Sequence, residues 1–158
     1  MNKYKPVEKV DKIIHLLVVD DDLGMLNVTR NILERIGYNI TYANSGKEAI
    51  VLMEEYNDVF DDIFDVVITD YYMPGMNGIE LAMEAKKFSI NAPIILYTGK
   101  IDILNEDHIT EAGLAGIITK PCSIKEIDNL IEKVLIEKEK TYQWIDKFNN
   151  TSLFHECH

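Results

Sequence analysis

Cysteine is scarce. Cys122 and Cys157 are the two among 158 residues, too few for a disulfide framework, and a reducing cytoplasm is the simplest expectation. Basic residues are also few: 16 Lys and Arg stand against 27 Asp and Glu, a formal net charge of -11. That balance argues against a nucleic-acid surface, which needs clustered cations. No apolar run approaches the roughly 20 residues of a membrane helix. The opening Lys3, Tyr4, Lys5 and Pro6 are not a secretory signal. Prolines number four, so little interrupts regular structure. What remains is an ordinary apolar share of 47%, enough for one domain with a sizeable core.

Short apolar runs organise that core. Ile13–Val19, Val66–Thr69 and Pro93–Tyr97 read as buried strands, since β-branched runs this short suit a sheet covered on both faces. Tyr38–Ala43 and a run within Gly113–Thr119 supply two more. Between them lie helical patterns. Met25, Val28, Ile32 and Ile36 mark one face of the first, widened by Leu26, Thr29 and Leu33, with Gly37 as its stop. Asn44 or Ser45 caps a second helix to about Tyr56. Ile79–Phe88 and Asp102–Ala112 are the third and fourth. Ser123 caps a fifth, whose apolar face is Ile124, Ile127, Leu130 or Ile131, Val134 and Leu135. Five strand–helix alternations with right-handed crossovers give an α/β parallel sheet with helices on both faces. The organisation expected is an arm over 1–12, a domain over 13–140 and a tail over 141–158. The tail carries Trp144, Phe148, Leu153 and Phe154, and extending the last helix, folding back and docking elsewhere all stay open.

The strand ends carry the chemistry, where open α/β sheets place their sites. Asp20 and Asp21 follow the first strand, Asp70 the third, Thr98 the fourth and Lys120 the fifth. Three carboxylates brought within a few ångströms repel, and one protonates unless a cation sits among them. Hard oxygen ligands in an incomplete cage suit Mg²⁺, which keeps waters and takes a phosphate oxygen. A carboxylate in that setting can attack phosphorus and form an acyl phosphate. Lys120 would then neutralise one phosphoryl oxygen, and the Thr98 hydroxyl would donate to another.

These residues carry a resemblance. VVDDD closing strand one, ITDYYMPGMNG around Asp70, YTG closing strand four and ITKP closing strand five stand in order at fitting spacing. With them the chain resembles a response-regulator receiver domain of two-component signalling, over about Ile13–Lys140. The resemblance implies the flavodoxin-like strand order 2-1-3-4-5 and phosphorylation on Asp70. It implies Mg²⁺ held by Asp20, Asp21, Asp70 and the backbone carbonyl of Tyr72, with Thr98 as switch hydroxyl and Lys120 as phosphoryl partner. A sensor histidine kinase or phosphotransfer protein would supply the phosphoryl group, and the domain would promote only its own phosphorylation and dephosphorylation rather than act as an enzyme on others. Its downstream target would be a protein or an output domain elsewhere in a longer chain, without direct contact to nucleic acid or membrane; homodimer formation stays open. One departure stands out. Receivers often carry an aromatic residue three before the lysine, and here Ile117 occupies that place.

Two other functions compete. A degenerate receiver would serve only as a docking platform, although no essential residue is missing. A haloacid-dehalogenase-type phosphatase would use Asp20 and Asp22 as its D-x-D. Leu23 and Gly24 do not suit that motif, and Asp70 would have no part in it. Asp22 reads better as the cap of the first helix. His15 and Cys122 read as structural and His108 as a surface residue. His155, Cys157 and His158 could in principle offer soft-metal donors.

Overall fold

The computed structural model describes residues 12–57, 63–88, 90–99 and 105–152. In chain order these hold β1 (His15–Val19), α1 (Leu23–Ile36), β2 (Asn39–Ala43), α2 (Gly46–Asn57), β3 (Val66–Thr69), α3 (Gly78–Lys87), β4 (Ile94–Thr98), α4 (Glu106–Ala112), β5 (Gly116–Thr119) and α5 (Ile124–Ser152). The strands pair in parallel in the order β2-β1-β3-β4-β5. This is the expected flavodoxin-like sheet, and each strand run expected from the sequence is present.

Alternation along each strand splits the core in two. Leu17, Val19 and Val67 face α2, α3 and α4, where Ala49, Met53, Leu81 and Ala112 close over them. Leu16, Val18, Val66 and Ile68 face α1 and α5, which cover them with Leu26, Leu33, Ile127, Ile131 and Val134. Helices therefore lie on both faces, and the central strands are apolar along most of their length because both of their sides are dry. At the amino-terminal edge, buried Asp65 accepts from Lys12 Nζ at 2.6 Å and from His15 N at 2.9 Å.

Two helices and one strand depart from expectation. In α1 the buried residues are Leu26, Thr29 and Leu33, whereas Val28 and Ile36 of the expected stripe are exposed. The sequence offers two adjacent apolar stripes about 100° apart, and the seat of the helix on the sheet chooses between them. In α5, Ile131 is buried, Leu130 only partly so, and Ile124 is 51% exposed because it precedes the turn that meets the sheet. That helix also runs unbroken through Lys140 to Ser152, so the tail extends it. The run expected from Gly113 begins as strand only at Gly116, since Gly113 caps α4 in the left-handed region at φ 64°. The arm before Lys12, residues 58–62, the expected start of the fourth helix, and Leu153, Phe154, His155, Cys157 and His158 lie outside the described residues.

Candidate functional site

The sheet ladder brings the expected site residues together. It runs one residue past the strand ends: Asp20 N donates to Ala43 O at 3.2 Å, Asp70 N to Val19 O at 2.9 Å, and Lys120 N to Thr98 O at 2.8 Å. Adjacent parallel strands are less than about 5 Å apart. Residues just beyond β1, β3 and β5, with the last of β4, therefore share one crevice. Asp20, Asp21 and Asp70 each offer a carboxylate oxygen within 4.8 Å of the others. Asp20 is buried, Asp70 partly so, and Asp21 exposed, an arrangement open on one side.

Asp70 and Asp20 are further defined by their neighbours. Asp70 Oδ1 accepts from Tyr71 N at 2.8 Å, which leaves Oδ2 toward Lys120 Nζ at 3.7 Å. Lys120 Nζ also donates to Asp20 Oδ2 at 3.0 Å, and Asp20 Oδ1 accepts from Asp22 N at 3.0 Å. Burial raises the Asp70 carboxyl above its ordinary pKa and the Asp20 and Asp21 charges add to the rise, while Lys120 and the Tyr71 N–H act against it. Negative charge is concentrated here beyond what the one lysine neutralises. The donors are hard, close together and partly desolvated, which fits a small divalent cation such as Mg²⁺.

The loop after Asp70 is built to hold it still. Gly75 takes φ 82°, and Asn77 caps α3 in a reciprocal box with Glu80, both bonds at 2.9 Å. Gly78 starts the helix hard against the site: a Cβ there would stand 2.3 Å from the Asp70 carbonyl oxygen. Tyr72 is exposed, its ring edge-on to Tyr71 at 4.9 Å; the assignment of its carbonyl to a metal rests on the resemblance. Thr98 is buried at the end of β4. Asp22 caps α1, its Oδ1 accepting from Gly24 N and Met25 N. His15 bonds Thr41 Oγ1 at 2.8 Å and His108 is exposed.

Sequence reading missed Tyr97. Lys120 Nζ lies 4.8 Å from the centre of its ring. Burial and a hydrogen bond with Cys122 push the Tyr97 phenol up to about 12, so the ring is neutral under ordinary conditions. An aromatic residue directly before Thr98 was the available signal.

Comparison with known proteins agrees with this geometry. The sequence model of the family described as "Response regulator receiver domain" matches residues 16–132. "Response regulator SaeR" of Staphylococcus aureus (strain USA300) is 31% identical over 126 residues, which is 80% of this chain and 52% of that protein. The chain thus spans about half the length of the curated relatives it matches. Among solved structures, a CheY-like receiver domain protein from Methanospirillum hungatei JF-1 superposes with a TM-score of 0.72 at 29% identity, covering 82% of this chain and 99% of that one. A receiver domain protein from Clostridium thermocellum gives 0.71 at 26%, with the same coverage.

Proposed function

The chain belongs to the family of response regulator receiver domains, the signalling modules of two-component systems, and from that premise we propose that Asp70 is its phosphoacceptor. The carrying observation is the convergence of Asp20, Asp21 and Asp70 within 4.8 Å, with Lys120 beside two of them. In the proposed step a carboxylate oxygen of Asp70 attacks the phosphorus of a phosphohistidine on a sensor kinase or phosphotransfer protein. The O–P bond forms as the P–N bond breaks, and the imidazole departs with a proton from solvent. Lys120 neutralises one phosphoryl oxygen and the Thr98 hydroxyl donates to another, which draws both side chains toward the new group.

Asp20, Asp21, Asp70 and the Tyr72 carbonyl are the residues that would hold Mg²⁺. When bound, Mg²⁺ supplies positive charge against the phosphoryl oxygens as charge develops on them. The protein's own part is to fix the carboxylates in one crevice and to keep Asp70 desolvated. Movement of Thr98 is the proposed start of a switch in the adjoining surface, read by a protein partner or by an output domain. Against the competing phosphatase reading stand the engagement of Asp22 as the cap of α1 and the presence of Asp70 within 4.8 Å of Asp20 and Asp21.

Intact-mass spectrometry after incubation with acetyl phosphate and Mg²⁺ tests the proposal. One phosphoryl adduct is expected in the wild type, dependent on Mg²⁺ and absent from Asp70→Asn. An adduct of equal yield in that variant would place the acceptor elsewhere, and no adduct in either would favour a docking platform.

A further inference from the structure

Lys120 is enclosed on three sides. Its ammonium stands 3.0 Å from Asp20 Oδ2, 3.7 Å from Asp70 Oδ2 and 4.8 Å from the centre of the Tyr97 ring. The register explains the third contact. Tyr97 pairs across the β4–β5 ladder with Ile118, and Lys120, two residues beyond Ile118, returns to the same face of the sheet. Ile117 pairs with Leu96, so it belongs with Thr98 and Thr119 on the opposite face. An aromatic residue at 117 would stand on the hydroxyl's side of the sheet. Tyr97 stands on the lysine's.

We propose that Tyr97 is a positioning residue for Lys120, its ring face holding the ammonium at the mouth of the crevice between Asp20 and Asp70. The inference rests on the phosphoacceptor reading and adds to it a residue that touches neither phosphorus nor metal. The physical basis is the attraction of a cation to the negative face of an aromatic ring, strongest where water is partly excluded. Tyr97 is half-buried in the layer formed with Ile118 and Cys122, beneath α5. A flexible lysine stem is thereby limited to the arc from which it reaches Asp70. The ring face, not the hydroxyl, does the positioning, so phenylalanine should replace tyrosine and leucine should not.

The test uses the full chain labelled with ¹³C at lysine Cε, as wild type, Tyr97→Phe and Tyr97→Leu, with Lys120→Gln to assign the signal. The Lys120 ε-methylene resonance is expected upfield of the other lysines in wild type and Tyr97→Phe, and among them in Tyr97→Leu. Phosphorylation by acetyl phosphate should keep its wild-type rate in Tyr97→Phe and slow by about three- to tenfold in Tyr97→Leu. A wild-type rate in Tyr97→Leu, or equal slowing in both variants, overturns the inference. So does a Lys120 signal that is not shifted in the wild type. A wild type that takes no phosphoryl group overturns the phosphoacceptor reading alone where the ring-current shift on Lys120 survives, and both readings where that shift is absent.

Discussion

At the scale of the residue, Asp70 ionises at a cost that the fold bears. Burial first, then the charges of Asp20 and Asp21, raise its pKa above the ordinary 3.8. A carboxyl whose folded pKa is raised stabilises most below the unfolded value, and that contribution is lost as pH climbs through the folded value. Asp70→Asn should therefore melt a few degrees higher than the wild type at about pH 7 in chelator, since each kcal/mol moves a chain of this size by about 2–4 °C. The gain should shrink toward about pH 4, and Mg²⁺ should raise the melting temperature of the wild type more than that of the variant. Thermal unfolding followed by circular dichroism across that range checks it. A variant less stable than the wild type at neutral pH would show that Asp70 holds the fold together. At this scale the sequence was eloquent about Asp20, Asp21, Asp70, Thr98 and Lys120, because each stands at the end of a legible strand. It was silent about Tyr97, whose contact with Lys120 depends on which face of β4 it occupies.

At the scale of the element, α3 is set by two opposed demands. Glycine is a poor helix residue, and alanine in its place would add up to about 1 kcal/mol of propensity. Gly78, however, abuts the site. Its absent Cβ would lie 2.3 Å from the Asp70 carbonyl oxygen and 2.7 Å from Leu96 Cδ1, and the first of these is backbone that cannot swing aside. Overpacking of this kind costs about 1–3 kcal/mol, so the clash outweighs the propensity. Gly78→Ala should lower the urea midpoint and slow phosphorylation together, since relief of the clash moves Asp70 or tilts α3. An alanine variant with unchanged stability and unchanged phosphorylation rate would show that the contact relaxes without cost. The same scale explains where helical patterns misled. In α1, two neighbouring stripes are apolar, and periodicity alone does not rank them. Only the approach to Leu16 and Val18 buries Leu26, Thr29 and Leu33.

At the scale of the whole molecule, α5 outruns the sheet it covers. Its 29 residues extend about 43 Å at 1.5 Å per residue. Among the residues whose burial is described, its last buried position is Val134, and beyond it Trp144 stacks on Phe148 with centroids 5.6 Å apart and rings 15° from parallel. Tyr142 and Ile145, with Pro93 and Ala115, border a groove of about 440 Å³ beneath the overhang. We propose that the folding unit is complete by Lys140, as the core contacts of α5 imply. A chain ended there should unfold in one transition with a melting temperature within about 5 °C of the full chain, roughly 1–2 kcal/mol for this size. A larger fall would mean that Tyr142 and Ile145 carry part of the core. By itself the sequence determined the alternation of strand and helix, the two-sided burial of the sheet and the placement of chemistry at strand ends, because short apolar runs and turn residues are local signals. Tertiary structure alone decided which stripe of each helix is buried, how far α5 continues and which ring stands over Lys120. Those outcomes depend on register and on which faces meet, and a sheet's register brings together residues far apart in the chain.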